Sequence, residues 1–454
     1  MKRISIFLIA FVCMSLTAQT PRDTTALSLS LKEALAMGME NNYNSVKSEK
    51  EVEIALKQKW EIISQGLPQI NGNVDYQNFL KQPVTLIPGE IADGDPGTFV
   101  PVRFGTKQNL NATATWSQLI FDGSYIVGVQ SARTLLQISK NAKVKTDLEV
   151  RKAIINAYGN VLLAEESVEI LKSNLSTVEK NLNDTQKIFE NGLAEEEDVE
   201  QLKITRIGLE NNLNRSIRMK DISYQMLNMA LGMPVDTKIV LTEDLDALAM
   251  RFLDLELLEK SIPVEENIDV RIAQNTAEAA NIFVRLEKAK ALPSLTGFLN
   301  YGAAGYSDDF SFFEDDQKYY SQSILGVSMN IPIFSSGMRS SRTQQKELEF
   351  EQALLDLEQT RNQIRLEIES ARSNYKFSIE NYQAQQENLA LAQRIENKNQ
   401  IKFFEGLASS FELSEAQRQL YVAQQNLLQS MLEVITSKVE LENKLSTQTY
   451  PEEE

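Results

Sequence analysis

The side chains that could do chemistry in this sequence are carboxylates and amines rather than imidazoles and thiols. Its 454 residues include 63 Asp and Glu and 46 Lys and Arg, but no His and a single Cys. Histidine is the commonest general base and metal ligand near neutral pH, and a thiolate nucleophile requires a cysteine. The composition therefore favours a non-catalytic role, and the sequence predicts no catalytic residue, metal site or cofactor.

The only cysteine, Cys13, lies in a segment that has the pattern of a secretory signal peptide. Residues 1–18 contain two basic residues, an apolar run and a small residue, Ala18, at the expected cleavage site. Cleavage there would remove Cys13, which leaves no disulfide or thiolate site. A lipidated Cys13 is the alternative, although bulky side chains precede it where a lipoprotein site needs small ones.

The charge of the chain argues against a nucleic acid partner. The formal net charge is −17 at pH 7, which repels phosphates, and no basic stripe offsets it. After residue 18 no run of about 20 apolar residues indicates a transmembrane helix. If the protein lies in a membrane, we expect it to do so through strands.

Two long segments without proline, 102–233 and 333–450, permit very long helices. In the second segment Gly406 is the only glycine after residue 338, so we predict helices over about 338–403 and 409–446. A helix of about 65 residues is roughly 100 Å long. Apolar residues at helical spacing predict buried seams at Leu171, Leu175, Val178, Leu182 and Phe189, and at Ile364, Ile368, Ala371, Tyr375, Tyr382 and Leu389. An extended soluble coiled coil is the alternative.

Each long helix follows a segment with the alternation of a β-hairpin, at about 67–121 and about 293–334. In the first strand Ile70, Val74 and Tyr76 alternate with polar residues, and Trp116 belongs to the apolar row of the second. One apolar face and one uncharged polar face over about ten residues fit a transmembrane strand. The segments between the strands, 81–106 and 303–318, are rich in Gly, Pro and Asp and predict exposed loops.

Four strands cannot close a barrel, and an open sheet edge in lipid would leave backbone groups without hydrogen bonds. Other copies of the chain must therefore supply the missing strands. A trimer would give a 12-stranded barrel, within the range of bacterial outer membrane barrels. Strand pattern alone also permits a dimer or a tetramer.

The sequence repeats itself at a fixed offset of 214 residues. Gly123 of IFDG corresponds to Gly337 of IFSSG, and Gly192 corresponds to Gly406. The predicted organisation is a first repeat, an equatorial connector, a second repeat and a C-terminal tail, over 19–233, 234–263, 264–446 and 447–454. Each repeat contains a helix, a strand hairpin, a long helix, a turn near 192 or 406, and another helix.

The segments LSLKEALAMGMENNYNSV (29–46), GLPQI, SQLIFDG, NGLAEEEDV and MLNMALGMP occur in an order that resembles the TolC-like outer membrane efflux protein family, also called outer membrane factors. This resemblance implies a mainly α protein with a transmembrane β-barrel contribution. A homotrimer would form a 12-stranded barrel in outer membrane lipid and a long α-helical coiled-coil barrel, or tunnel, in the periplasm.

The resemblance also implies a function and partners. Such a protein is the passive exit duct of a tripartite efflux pump or a type I secretion system. Its partners would be a periplasmic adaptor (membrane fusion) protein and an inner membrane transporter of the RND or ABC type. The alternative is a periplasmic coiled-coil adaptor or adhesin without a channel, although adaptors usually carry one helical hairpin rather than two.

By the same resemblance, the two Gly-Leu stretches are turns at the periplasmic tip, and Gly192, Leu193, Gly406 and Leu407 are candidates for adaptor docking. Turns that only stabilise their own hairpins are the alternative. The periplasmic gate would comprise Glu412 and Glu415, as an acidic ring whose mutual repulsion could raise their pKa values, together with Asp198. Ala408 and Phe403 stand where some relatives have arginine and tyrosine, so we expect closure through packing of Phe403 and Phe404 instead.

Overall fold

The computed structural model describes residues 27–92 and 95–445, so the predicted signal peptide 1–18 and tail 447–454 lie outside the described residues. The chain divides into two compact units. Unit 1 consists of the segment up to Asn42, Ala153–Leu253 and Tyr382–Ile435, and unit 2 of Tyr43–Lys152, Asp254–Asn381 and the segment from Thr436. Each unit draws on both predicted repeats, and the repeat boundaries remain a prediction.

Helices dominate the described residues, and two of them are very long. They are α1 (Leu31–Asn41), α2 (Tyr43–Ser64), α3 (Gly123–Glu190), α4 (Glu196–Ala230), α5 (Leu245–Arg251), α6 (Glu256–Glu259), α7 (Ile268–Ala289), α8 (Met338–Phe404) and α9 (Ser410–Leu445). With 68 and 67 residues, α3 and α8 are each about 100 Å long. The predicted bounds of α8 and α9 are confirmed to within one residue. No helix in the described ranges is long and apolar enough to cross a membrane.

Strands form three small sheets. They are β1 (Leu27–Leu29), β2 (Gln69–Asn78), β3 (Val84–Pro88), β4 (Phe99–Arg103), β5 (Gln108–Asp122), β6 (Ile239–Leu241), β7 (Ser294–Ser307) and β8 (Tyr319–Asn330). The largest sheet has the order β2-β5-β7-β8 and is antiparallel throughout. Both predicted strand hairpins are therefore confirmed, and they pair side by side through β5 and β7.

The register of this sheet separates an apolar face from a polar one. Ile70, Trp116, Leu299 and Leu325 are direct partners and form one row across all four strands. On the other face Asn73, Thr113, Gly302 and Gln322 form a row. The two apolar residues in the edge strands are strongly exposed, with Ile70 at 76% and Leu325 at 79%. The predicted alternation is thus confirmed, and within one chain its apolar face lies open.

One sequence prediction is wrong in part, because the first inter-strand segment is more than a loop. The strands β3 and β4 pair as an antiparallel hairpin within residues 81–106. Short β-branched runs at 84–87 and 99–102 favour strands despite the flanking Gly and Pro residues. Pro101 is compatible with this pairing because β4 is an edge strand.

The predicted helical seams form much of the buried core, although not evenly. In α8 the side chains of Ile364, Ile368, Ala371, Tyr375 and Tyr382 are buried. In α3 Leu171 and Val178 are buried, but the seam then continues through Asn181 and Thr185, each only 1% exposed. Toward the end of α3 the core of unit 1 is therefore unusually polar.

Candidate functional site

The first candidate turn joins α3 to α4 in unit 1 and is built around Gly192. Its φ angle is +77°, a left-handed conformation that glycine adopts without steric cost. The Leu193 N–H donates to the carbonyl of Ile188 at 3.0 Å, which satisfies one of the free carbonyls at the end of α3. The Leu193 side chain is 81% exposed and makes little contact with its own hairpin.

The second turn, between α8 and α9 in the same unit, repeats this geometry. Gly406 has a φ angle of +74°, and the Leu407 N–H donates to the carbonyl of Lys402 at 2.8 Å. Leu407 is 72% exposed. The repeated Gly-Leu pair thus forms two equivalent helix ends, each presenting one apolar side chain.

Glu412 lies in the first turn of α9 and caps that helix. One of its carboxylate oxygens accepts hydrogen bonds from the Ser409 backbone N–H at 2.8 Å and from the Ser409 hydroxyl at 3.2 Å. In return, the Glu412 N–H donates to the Ser409 hydroxyl at 3.2 Å. These bonds form a capping box, and the donors at Ser409 lower the pKa of Glu412.

Glu415 lies one turn further along α9 and is paired within its own helix. Its carboxylate accepts two bonds from the Arg418 guanidinium, at 2.8 and 2.5 Å, and one from the Gln419 amide at 3.1 Å. The Arg418 and Gln419 hydrogen bonds lower the pKa of Glu415. Within one chain, therefore, local donors lower the pKa of both carboxylates, whereas mutual repulsion in a ring was expected to raise these pKa values.

Asp198 connects the two hairpins of unit 1. One of its carboxylate oxygens accepts from the Ser410 backbone N–H at 3.3 Å, at the start of α9. The other accepts from the Glu195 N–H at 3.4 Å, at the start of its own helix. Ser410 is only 4% exposed, so water competes poorly for its N–H. A single side chain therefore links the first turns of α4 and α9.

Two aromatic side chains lie at the end of α8, just before the second turn. The rings of Phe403 and Phe404 meet edge to face, with centroids 5.4 Å apart. Phe403 is partly buried, whereas Phe404 is 42% exposed. No group of three His, Cys, Asp or Glu residues in the described ranges is arranged to hold a metal ion.

Comparison with known proteins agrees with this architecture. The profile of the outer membrane efflux protein family matches residues 264–446. The outer membrane protein TolC of Vibrio cholerae is 24% identical over 341 residues, which span 74% of this chain and 77% of TolC. The alkaline protease secretion protein AprF of Pseudomonas aeruginosa is 24% identical over 340 residues, spanning 72% of this chain and 67% of AprF.

The solved structure of CusC, a protein that forms a transmembrane channel, superposes with a TM-score of 0.72 at 17% identity and covers 91% of both chains. The chain is therefore similar in sequence to the TolC-like outer membrane efflux proteins, and it shares the fold of CusC. This TolC-like protein is accordingly a protein of the outer membrane.

Sequence reasoning about this TolC-like protein overlooked two features of the tip. The capping box was detectable, because Ser409 and Glu412 have the Ser-x-x-Glu spacing of a helix start. The bond from Ser410 to Asp198 was not, because its partners are 212 residues apart and no periodic pattern marks them. Asp198, Glu412 and Glu415 therefore come together near the two turns, each with a different local partner.

Proposed function

We propose that this protein is a passive exit duct of a tripartite efflux pump or a type I secretion system, with no chemistry of its own. The observation that carries the proposal is the sheet β2-β5-β7-β8. Its edge strands β2 and β8 have no further strand partner among the described residues, and its apolar row is exposed. In an outer membrane protein, such edges need pairing and such a row needs lipid.

A homotrimer would satisfy both needs. Pairing β8 of one copy with β2 of the next would give 12 strands, an even number within the range of bacterial barrels. The long hairpins α3–α4 and α8–α9 would then contribute twelve helices to a periplasmic tunnel. The similarity to outer membrane efflux proteins supports this arrangement over an adaptor or adhesin without a channel.

The two turns are proposed as the docking tip for a periplasmic adaptor that connects the duct to an RND-type or ABC-type transporter. Leu193 and Leu407 would be the contacts, because both are exposed apolar side chains held on rigid glycine turns. Gly192 and Gly406 would act by fixing the turn conformation rather than by touching the adaptor.

The gate is proposed to lie beside these turns. Asp198 would hold the closed state through its bond to the Ser410 N–H, and Phe403 would contribute packing at the end of α8. Glu412 and Glu415 from three copies would place six carboxylates around the axis. Because Arg418 offsets the charge of Glu415, the preference for cations would come mainly from Glu412. Opening would separate α4 from α9 while leaving the hydrogen bonds within each helix intact.

Single-channel conductance in planar bilayers tests the proposal. Detergent-purified protein should give discrete, cation-preferring steps, and Asp198→Ala should raise the open probability several-fold because the link to Ser410 is lost. Asp198→Asn keeps an acceptor oxygen and should lie closer to the parent. Asp221→Ala removes a carboxylate from the exposed side of the same helix and serves as the control.

The outcomes separate the duct from its gate. Discrete steps that Asp198→Ala leaves unchanged would keep the duct and reject Asp198 as a gate residue. The double variant Glu412→Gln/Glu415→Gln should weaken cation preference, and an unchanged preference would reject the ring. If folded, inserted protein and its Asp198→Ala variant both gave no steps, the duct itself would be contradicted.

A further inference from the structure

A cavity of about 670 Å³ lies among the helices of unit 1, close to the two turns. The two parallel helix starts form its sides, with Gly208 and Leu209 from α4 and Phe411 and Tyr421 from α9. Polar side chains of α3 and the carboxylate of Glu396 in α8 complete the lining. This volume is typical of small-molecule sites, which span about 300–1,000 Å³.

The cavity contains a buried carboxylate without a cation. Glu396 is 7% exposed, and no Lys or Arg in the described ranges lies within ion-pair distance of it. Burying an ionised carboxylate without a paired cation is costly. Burial accordingly raises the pKa of Glu396, although the neighbouring Gln417 amide partly opposes the shift.

Gln417 adds further unused hydrogen-bonding capacity beside Glu396. Both polar atoms of its side chain are buried and have no hydrogen-bond partner of normal geometry in the described part of the chain. Buried polar groups in native proteins nearly always have a partner, and leaving one unmade costs about 1–3 kcal/mol. A bound group that donates to the Glu396 carboxylate and to the Gln417 side-chain oxygen would pair the buried charge and satisfy one of the two Gln417 atoms.

None of the other charges near the cavity forms a salt bridge with Glu396 in the described residues. Glu415 and Arg418 neutralise each other through their paired hydrogen bonds at the mouth. Burial raises the pKa of the Tyr421 phenol in the cavity wall, and the positive charge of Arg215 in α4 partly opposes this shift. At Gly208 an added Cβ would meet no atom within 4 Å, so the α4 side of the mouth is open.

We propose that this cavity binds an organic cation, a protonated amine that carries an apolar or aromatic body. The ammonium would donate to the Glu396 carboxylate and the Gln417 side-chain oxygen. The apolar body would lie against Leu209, Val178 and the ring of Tyr421, where a cation and an aromatic face attract each other. Because every lining residue belongs to unit 1 of a single chain, the site does not depend on the proposed channel.

Fluorescence titration of the full-length, detergent-purified protein with dansylcadaverine, a primary ammonium with a fluorescent aromatic body, tests the proposal. The parent should show saturable binding, and Glu396→Gln should weaken it at least ten-fold because the carboxylate charge is lost. Glu387→Gln, an exposed residue on the opposite side of α8, is the matched control and should bind like the parent. Gly208→Leu should also weaken binding by narrowing the mouth, and it removes a helix-destabilising glycine.

The pH dependence of binding provides a second readout. Affinity of the parent should fall as pH falls through the raised pKa of Glu396, while Glu396→Gln should show no such decline. Equal affinity in parent and Glu396→Gln, or no saturable binding to the parent, would overturn the site. Because conductance tests the duct and titration tests the cavity, either proposal can fail without the other.

Discussion

The two hairpin turns of unit 1 share a backbone conformation but differ in how the following helix begins. Gly192 and Gly406 have nearly the same positive φ, and the Leu after each closes the same type of helix end. After the second turn, Ser409 and Glu412 form a complete capping box at 2.8–3.2 Å. After the first, Glu195 and Asp198 also form a capping box, but the bond from the Glu195 N–H to Asp198 is a longer 3.4 Å.

The difference shows that only the first of these two similar helix starts shares its capping carboxylate with the other hairpin. The α9 start satisfies its own backbone donors through Ser409 and Glu412. Asp198 instead divides its carboxylate between its own helix start and Ser410 of the other hairpin. The longer cap of α4 therefore coincides with a hydrogen bond from Ser410 to Asp198 that ties the starts of α4 and α9 together.

The largest expected effect concerns what the turns share, their exposed leucines. Replacing Leu193 or Leu407 with Asp should reduce adaptor-dependent export by ten-fold or more, because a charge would lie in an apolar contact. Folding should be unaffected, since the side chains are 81% and 72% exposed. Export rate in cells, with the melting temperature of the purified protein as the folding control, measures this.

Leu193→Met and Leu407→Met keep an apolar contact and should retain export. If only one of the two Asp variants lost export, docking would be confined to one turn. If neither did, the leucines would serve only their own hairpins.

The second largest expected effect concerns the left-handed conformation that the two turn glycines share. Gly192→Ala and Gly406→Ala should each lower the free energy of unfolding by about 1–2 kcal/mol, because a left-handed conformation penalises a Cβ. No atom lies within 4 Å of an added Cβ at either position, so strain in the backbone is the expected cause. Denaturant titration of the two variants should give similar losses.

The chain offers a matched control for this pair. Gly208→Ala makes the same chemical change inside helix α4, again with no neighbour within 4 Å, and should stabilise by about 0.5–1 kcal/mol. A loss at Gly208 similar to that at the turns would contradict the conformational explanation.

Local sequence patterns predicted the helices and strands of this protein. They could not predict contacts between residues that are distant in sequence. The ends of α8 and α9 follow from Gly406 and the absence of proline, and the strand faces follow from alternation at residues such as Trp116. The β3–β4 hairpin was missed because its strands are short and the segment between them is rich in Gly, Pro and Asp. The Asp198–Ser410 bond and the buried Glu396 depend on packing between helices, which no periodicity encodes.

The helix caps give a smaller effect that separates the two turns. Ser409→Ala should lower the free energy of unfolding by about 1 kcal/mol, because the capping hydroxyl is lost. Glu195→Ala should cost less, because it removes only the side-chain half of the α4 capping box. The Glu195 N–H still donates to Asp198 at 3.4 Å, and the Asp198 N–H still donates to the Glu195 carbonyl at 3.2 Å. Equal losses in denaturant titrations would mean that the two helix starts are capped equally well.

The smallest expected effect is a pH dependence confined to the second turn. The Ser409 backbone N–H and hydroxyl lower the pKa of Glu412 from its ordinary value of 4.5. A carboxylate whose pKa is lower in the folded state contributes stability that is present above pH 4.5 and is lost as pH falls through the lowered value. The melting temperature of the parent should therefore exceed that of Glu412→Gln above pH 4.5, and the gap should close on acidification.

Comparison with Ser409→Ala assigns this pH dependence to the turn rather than to α9 as a whole. That variant keeps the backbone N–H of residue 409 but loses the hydroxyl donor. The pH-dependent contribution of Glu412 to the melting temperature should therefore shrink without vanishing. The Glu415 pKa is lowered by Arg418 and Gln419, so the additional change on Glu415→Gln should be the same with or without Ser409. If Ser409→Ala altered the Glu415 contribution as strongly as that of Glu412, the two carboxylates would act as one coupled group, as a shared ring requires.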